Sequence, residues 1–75
     1  MDKQNIYGYW VVYEKEMVQG IRYLKYDLQR EEARTLFEAA KDQGDAEFED
    51  DDDRDWSLRY NRGENSYTLF RRQRE

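Results

Sequence analysis

Read for the alternation of apolar and polar positions, the chain is a set of period-two segments interrupted by one segment of period 3.6. From Ile6 to Tyr13 the run Ile-Tyr-Gly-Tyr-Trp-Val-Val-Tyr puts β-branched and aromatic residues on both parities, which predicts a central strand covered on both faces. Glu14-Lys15-Glu16 ends it. Val18, Leu24 and Tyr26 on one parity, and Ile21 and Tyr23 on the other, predict a second strand from Met17 to Tyr26 with Gly20 as a bulge.

The period then changes. Ala33, Leu36, Phe37 and Ala40 recur at i, i+3, i+4 and i+7, the apolar stripe of a helix over Leu28 to Asp42 with Asp27 as its N-cap. Glu31 and Glu32 suit its positive end, Lys41 its negative end, and Gly44 supplies the stop. Three more strands follow: a weak alternation around Phe48 over Ala46 to Asp50, a clear one through Trp56, Leu58 and Tyr60 over Asp55 to Asn61, and Ser66 to Arg72. Arg62-Gly63-Glu64-Asn65 has the composition of a hairpin turn between the last two.

The predicted order is ββαβββ. It implies an α+β domain of two layers, an antiparallel sheet of about five strands with one helix packed on one face. With no proline, repeat or linker, residues 1–75 read as a single domain. The helix-facing side is predicted to carry Trp10, Val12, Leu24, Tyr26, Trp56, Leu58 and Tyr60. Tyr7, Tyr9, Val11, Tyr13, Ile21 and Tyr23 then fall on the opposite side, where an open sheet face normally alternates to polar residues.

Composition adds that the core must be built from rings. A chain of this length buries only about 60% of the surface exposed when unfolded. Charged residues make up 41%, a level that suits disorder, but the twelve aromatic side chains at regular spacing argue for a folded domain. The absence of cysteine excludes a disulfide scaffold and thiolate metal sites. No window approaches a membrane span and the first residues, Met1-Asp2-Lys3-Gln4-Asn5, do not resemble a signal peptide, so a soluble cytoplasmic protein is expected.

Charge narrows the function further. The net charge of −5 divides into 0 over residues 1–41, −8 over 42–55 and +3 over 56–75. The middle block holds the run Glu47, Glu49, Asp50, Asp51, Asp52, Asp53 and Asp55. One reading is a solvated hairpin loop that suppresses aggregation of its flanking strands. A second is a Ca²⁺ or Mg²⁺ site on Asp51, Asp53 and Asp55, but Trp56 stands where such a loop needs glycine and Arg62 where it needs a bidentate glutamate. A third is an imitation of phosphate charge that inhibits a nuclease or DNA-binding protein.

Chemistry at neutral pH that relies on histidine or a cysteine nucleophile is excluded, and the four isolated glycines form no nucleotide-binding pattern. No enzyme activity, cofactor or metal is expected. Aromatic residues with Arg22, Arg59 and Arg72 suggest a single-stranded RNA platform, although Arg59-Tyr60-Asn61-Arg62-Gly63 lacks the signature of such domains and the net charge opposes phosphate. Arg71, Arg72 and Arg74 read as the guard of a sheet edge. The leading expectation is a small regulatory domain that binds a protein partner, a basic one among the candidates, or a second copy of itself. Its contacts are predicted at Tyr7, Tyr9, Tyr13 and Tyr23 on the sheet and at Glu49, Asp50, Asp51, Asp52 and Asp53 on the acidic segment.

Overall fold

A computed structural model describes residues 1–72. It is an α+β domain in which one five-stranded sheet is covered on one face by two helices. Strands β1 (Asp2–Ile6) and β2 (Tyr9–Tyr13) form a hairpin, helical segments follow, and β3 (Asp45–Glu49), β4 (Asp55–Asn61) and β5 (Ser66–Arg72) form a meander. The sheet order is β1-β2-β5-β4-β3.

The sheet is mixed, which corrects the expected antiparallel one. The helical crossover returns the chain so that β3 runs parallel to β2. Two antiparallel steps later β5 keeps that direction and pairs with β2, Val11 beside Tyr67 and Val12 beside Thr68.

Two further corrections concern the first half of the chain. The run from Ile6 to Tyr13 is not one strand, because Tyr7 and Gly8 turn it back on itself with φ of 52° and 94°. Positive φ at both central residues is what a tight two-residue hairpin requires, and Asn5 Oδ1 accepts the Gly8 N–H at 2.9 Å. The expected second strand is helical. A 3₁₀ turn at Lys15–Met17 leads into α1 (Val18–Arg22), which continues as a π turn over Tyr23–Asp27. Alternation in this segment coexists with a helical stripe, Met17, Gly20, Ile21, Leu24 and Leu28, and it is this stripe that turns inward.

Gly20 is therefore not a bulge. It is where α1 rests on the sheet: a Cβ there would meet Leu69 Cδ2 at 2.8 Å and the Trp56 ring at 2.9 Å. Helix α2 (Arg30–Gln43) buries Ala33, Phe37 and Ala40 as its stripe predicts and ends at Gly44, φ 95°. Its N-cap is Gln29 and not Asp27; the Gln29 N–H donates to Glu32 Oε1 at 3.2 Å. Asp27 is instead the last residue of the π turn.

Two ring clusters fill the core. Tyr9 stacks on Phe37 at 4.4 Å, and Tyr67 meets both edge-on. Tyr23, Phe48 and Trp56 stack in series at 5.8 and 6.4 Å. No helix among the described residues is long and apolar enough to cross a membrane.

Two substitutions test this packing. Phe37→Ala removes a fully buried ring and is expected to cost about 3–5 kcal/mol in chemical denaturation. Gly20→Ala should also destabilise, by about 1–3 kcal/mol, because Trp56 cannot retreat from the new methyl group. The preference of helices for alanine over glycine, at most about 1 kcal/mol, pulls the other way, so a stabilised Gly20→Ala would refute the close contact.

Candidate interaction surface

The hairpin at Tyr7-Gly8 decides which side chains face out. It pairs Ile6 with Tyr9, so two residues of opposite parity share a face. Tyr9, Val11 and Tyr13 consequently turn toward the helices, while Trp10 and Val12 turn away. The expected open tyrosine face is thereby corrected. Tyr9 lies against Phe37, Tyr13 is buried with its hydroxyl accepting from Gln4 Nε2 at 2.9 Å, and Tyr23 is half-buried on Phe48. Tyr7 alone among the four is exposed, and its hydroxyl donates to the Lys25 carbonyl of the π turn at 3.1 Å.

The outward face carries a different set of residues. One row crosses all five strands as Lys3, Val12, Thr68, Arg59 and Asp45, each paired with the next. Beside it on one side stand Asn5 and Trp10, then Ser66 and Asn61; on the other stand Phe70, Ser57 and Glu47, followed by Arg72, Asp55 and Glu49. Trp10 is 46% exposed and Phe70 39%. With Val12 and the Thr68 methyl between them they form a diagonal apolar stripe. Same-face neighbours along a strand are about 7 Å apart and strands about 4.8 Å, so the stripe runs for roughly 14 Å.

Cations flank both rings. Lys3 Nζ stands 5.0 Å from the Trp10 ring and the Arg59 guanidinium 5.3 Å from Phe70. Arg72 pairs with Glu47. Asp45, Glu47, Ser57, Arg59, Phe70 and Arg72 line a shallow groove of about 340 Å³. The face is thus basic at the β1 edge and acidic at the β3 edge. Arg22 lies on α1, away from this face, and Arg71 stacks on Trp56 across the sheet from it at 5.5 Å. As β5 is the central strand, Arg71 and Arg72 guard no edge; Arg74 lies outside the described residues.

The acidic segment is a folded loop built on one carboxylate. Asp50, only 6% exposed, accepts from the backbone N–H groups of Asp52 and Arg54 at 2.9 Å each, from Arg54 Nε at 2.7 Å and from the Trp56 indole at 2.9 Å. Burial alone would raise its pKa. The indole, the two backbone donors and the guanidinium overcome that and hold it at about 2. Arg54 also pairs with Asp52 at 2.7 Å, leaving Asp51 and Asp53 as the exposed acids of the tip without an ion pair among the described residues. Glu49 lies on β3, on the outward face. No three carboxylates among the described residues are arranged to hold a metal ion.

Trp10, Val12 and Phe70 are thus the surface residues that sequence reasoning missed. The signal that would have found the first two is Gly8 inside an apolar run, with Asn5 three residues before it to accept its N–H. A glycine there marks a turn as readily as a strand position, and accepting the turn reverses the parity of the strand that follows.

The two kinds of acid respond differently to change. An unfolded aspartate titrates near 3.8 and Asp50 near 2, so the unfolded state takes up the proton first as pH falls. The contribution of Asp50 is complete above about pH 4 and is lost as pH drops toward 2. Asp50→Asn should flatten that part of a stability-against-pH curve. Asp50→Ala should destabilise by about 1–3 kcal/mol through the stranded indole N–H alone. Asp51→Asn and Asp53→Asn should stay within about 0.5 kcal/mol of the parent, as surface changes usually do. Compared with protein-family models, curated proteins and solved structures, the chain finds no match.

Proposed function

We propose that this protein is a small interaction domain that binds a protein partner through the outward face of its sheet, with the acidic β3 edge as the electrostatic part of the contact. One observation carries the reading: Trp10, Val12 and Phe70 form an apolar stripe on a face that no element among the described residues covers. Aromatic anchors ringed by polar and charged groups are the composition of protein interfaces, where a few large side chains dominate the energy. The alternatives have less support. Phosphate mimicry needs free acids, and Glu47, Asp50 and Asp52 are paired with Arg72 and Arg54. Single-stranded RNA would find the same rings, but also Asp45, Glu47, Glu49 and Asp55 on the same face.

A photo-crosslinking amino acid at position 12 tests the proposal in native lysate, with position 35 on the exposed side of α2 as control. Covalent protein adducts are expected at 12 and not at 35. They should fall at least about tenfold with Trp10→Ala, the loss of about 1.4 kcal/mol typical of an anchor. Equal labelling from both positions would leave the face without a role.

A further inference from the structure

Resting on that reading, we infer that the outward face takes a second copy of this chain, sheet on sheet, with the two-fold axis parallel to the strands over β5. Charge complementarity selects this occupant. The row Lys3, Val12, Thr68, Arg59, Asp45 is basic at one end and acidic at the other, with β5 at its centre. Rotation about an axis along β5 lays β1 of one copy over β3 of its partner and keeps each row in register. Lys3 then meets Asp45 of the other copy, and the same contact recurs at the opposite edge, as an isologous interface demands.

The apolar stripe follows the same operation. Phe70, Thr68 and Arg72 sit close to the axis and meet their own counterparts, Arg72 with its charge already paired to Glu47. Arg59, carried on β4, comes over β2 opposite Val12, its guanidinium resting on Phe70 of its own copy. A two-fold axis across the strands would instead set β3 on β3, bringing Asp45, Glu47 and Glu49 against their own copies. Electrostatics therefore selects one of the two face-to-face arrangements. Sheets packed in this way lie about 10 Å apart at roughly −30°, a gap that a lysine meeting an aspartate can bridge.

The area sets the strength. Five strands at about 4.8 Å and four rows at about 7 Å give a face of roughly 600 to 700 Å², below the roughly 800 Å² per partner of a standard stable interface. Association is accordingly weak and concentration-dependent, and it is salt-sensitive because its edge contacts are exposed.

Sedimentation velocity on the intact chain, from about 10 µM to about 1 mM, is the test. The parent should dimerise in low salt and dissociate more readily near 1 M, where the screening length is about 3 Å. Lys3→Glu and Asp45→Lys should each weaken self-association at least about tenfold, since each places like charges at both edges of the dimer. Both side chains are exposed, and circular dichroism checks that each variant is folded. An equimolar mixture of the two variants should restore the dimer. In that mixed pair the acid introduced at position 3 of one copy meets the base introduced at position 45 of the other, while the remaining edge keeps its native contact. A parent that stays monomeric at the highest concentration overturns the second copy as occupant. So does a parent dimer that no mixture restores. Position-12 adducts to other proteins in the monomeric case would leave the interaction domain standing without self-association; their absence would remove both.

Discussion

The burial of Trp56 is the constraint on which the rest of the structure depends. The ring is fully buried, and it meets four parts of the chain at once. Gly20 lies on its face, Phe48 stacks beside it, Arg71 covers it, and Asp50 accepts its N–H. An indole brought into a core without an acceptor loses a hydrogen bond to water that nothing replaces. The acceptor here comes from the loop just before its own strand. That loop is held in place by the same carboxylate, which binds two backbone N–H groups and a guanidinium. Part of the acidic run is thus a component of the core and not of the surface.

This dual use explains what could be read from the residues and what could not. The stripe Ala33, Leu36, Phe37, Ala40 and the stop at Gly44 identified α2, because a long amphipathic segment has one physical solution. The last three strands were visible for a similar reason, each being an alternation bounded by turn residues. The segment from Met17 to Tyr26 was not, since its apolar residues satisfy period two and period 3.6 together. Only the fit of Gly20 against Trp56 and Leu69, a tertiary contact, decides between them. Asp50 was equally opaque: it opens a run of four aspartates that share the same local donors, and the Trp56 indole that singles it out comes within reach only when the hairpin closes.

The surface inherits the consequences of one turn. Because Tyr7 and Gly8 reverse the chain, Tyr9 is drawn under α2 and Tyr13 is buried, and a tryptophan and a valine are left outside. Tyr7 itself holds a conformation uncommon for an aromatic residue, and its hydroxyl reaches a carbonyl of the π turn. The outward face is consequently neither a polar solvent face nor a continuous apolar one. Its rings stand between cations and acids that are distributed unequally across the strands, so orientation on this face is set by charge and adhesion by the rings.

The pairing of β2 with β5 has one more consequence. The sheet is two antiparallel pieces, a hairpin and a meander, joined where Val11 and Val12 run beside Tyr67 and Thr68. Along that line Tyr9 meets Tyr67 edge-on and both pack on Phe37, so the hairpin and the meander share one ring cluster on the helix side. Trp10 and Val12 lie on one side of that line and Phe70 on the other. Any molecule that covers the stripe therefore straddles the join and recognises the two pieces only as paired. The ring cluster on one face and an occupant on the other then hold the same seam, and the bound form resists unfolding by the free energy of binding.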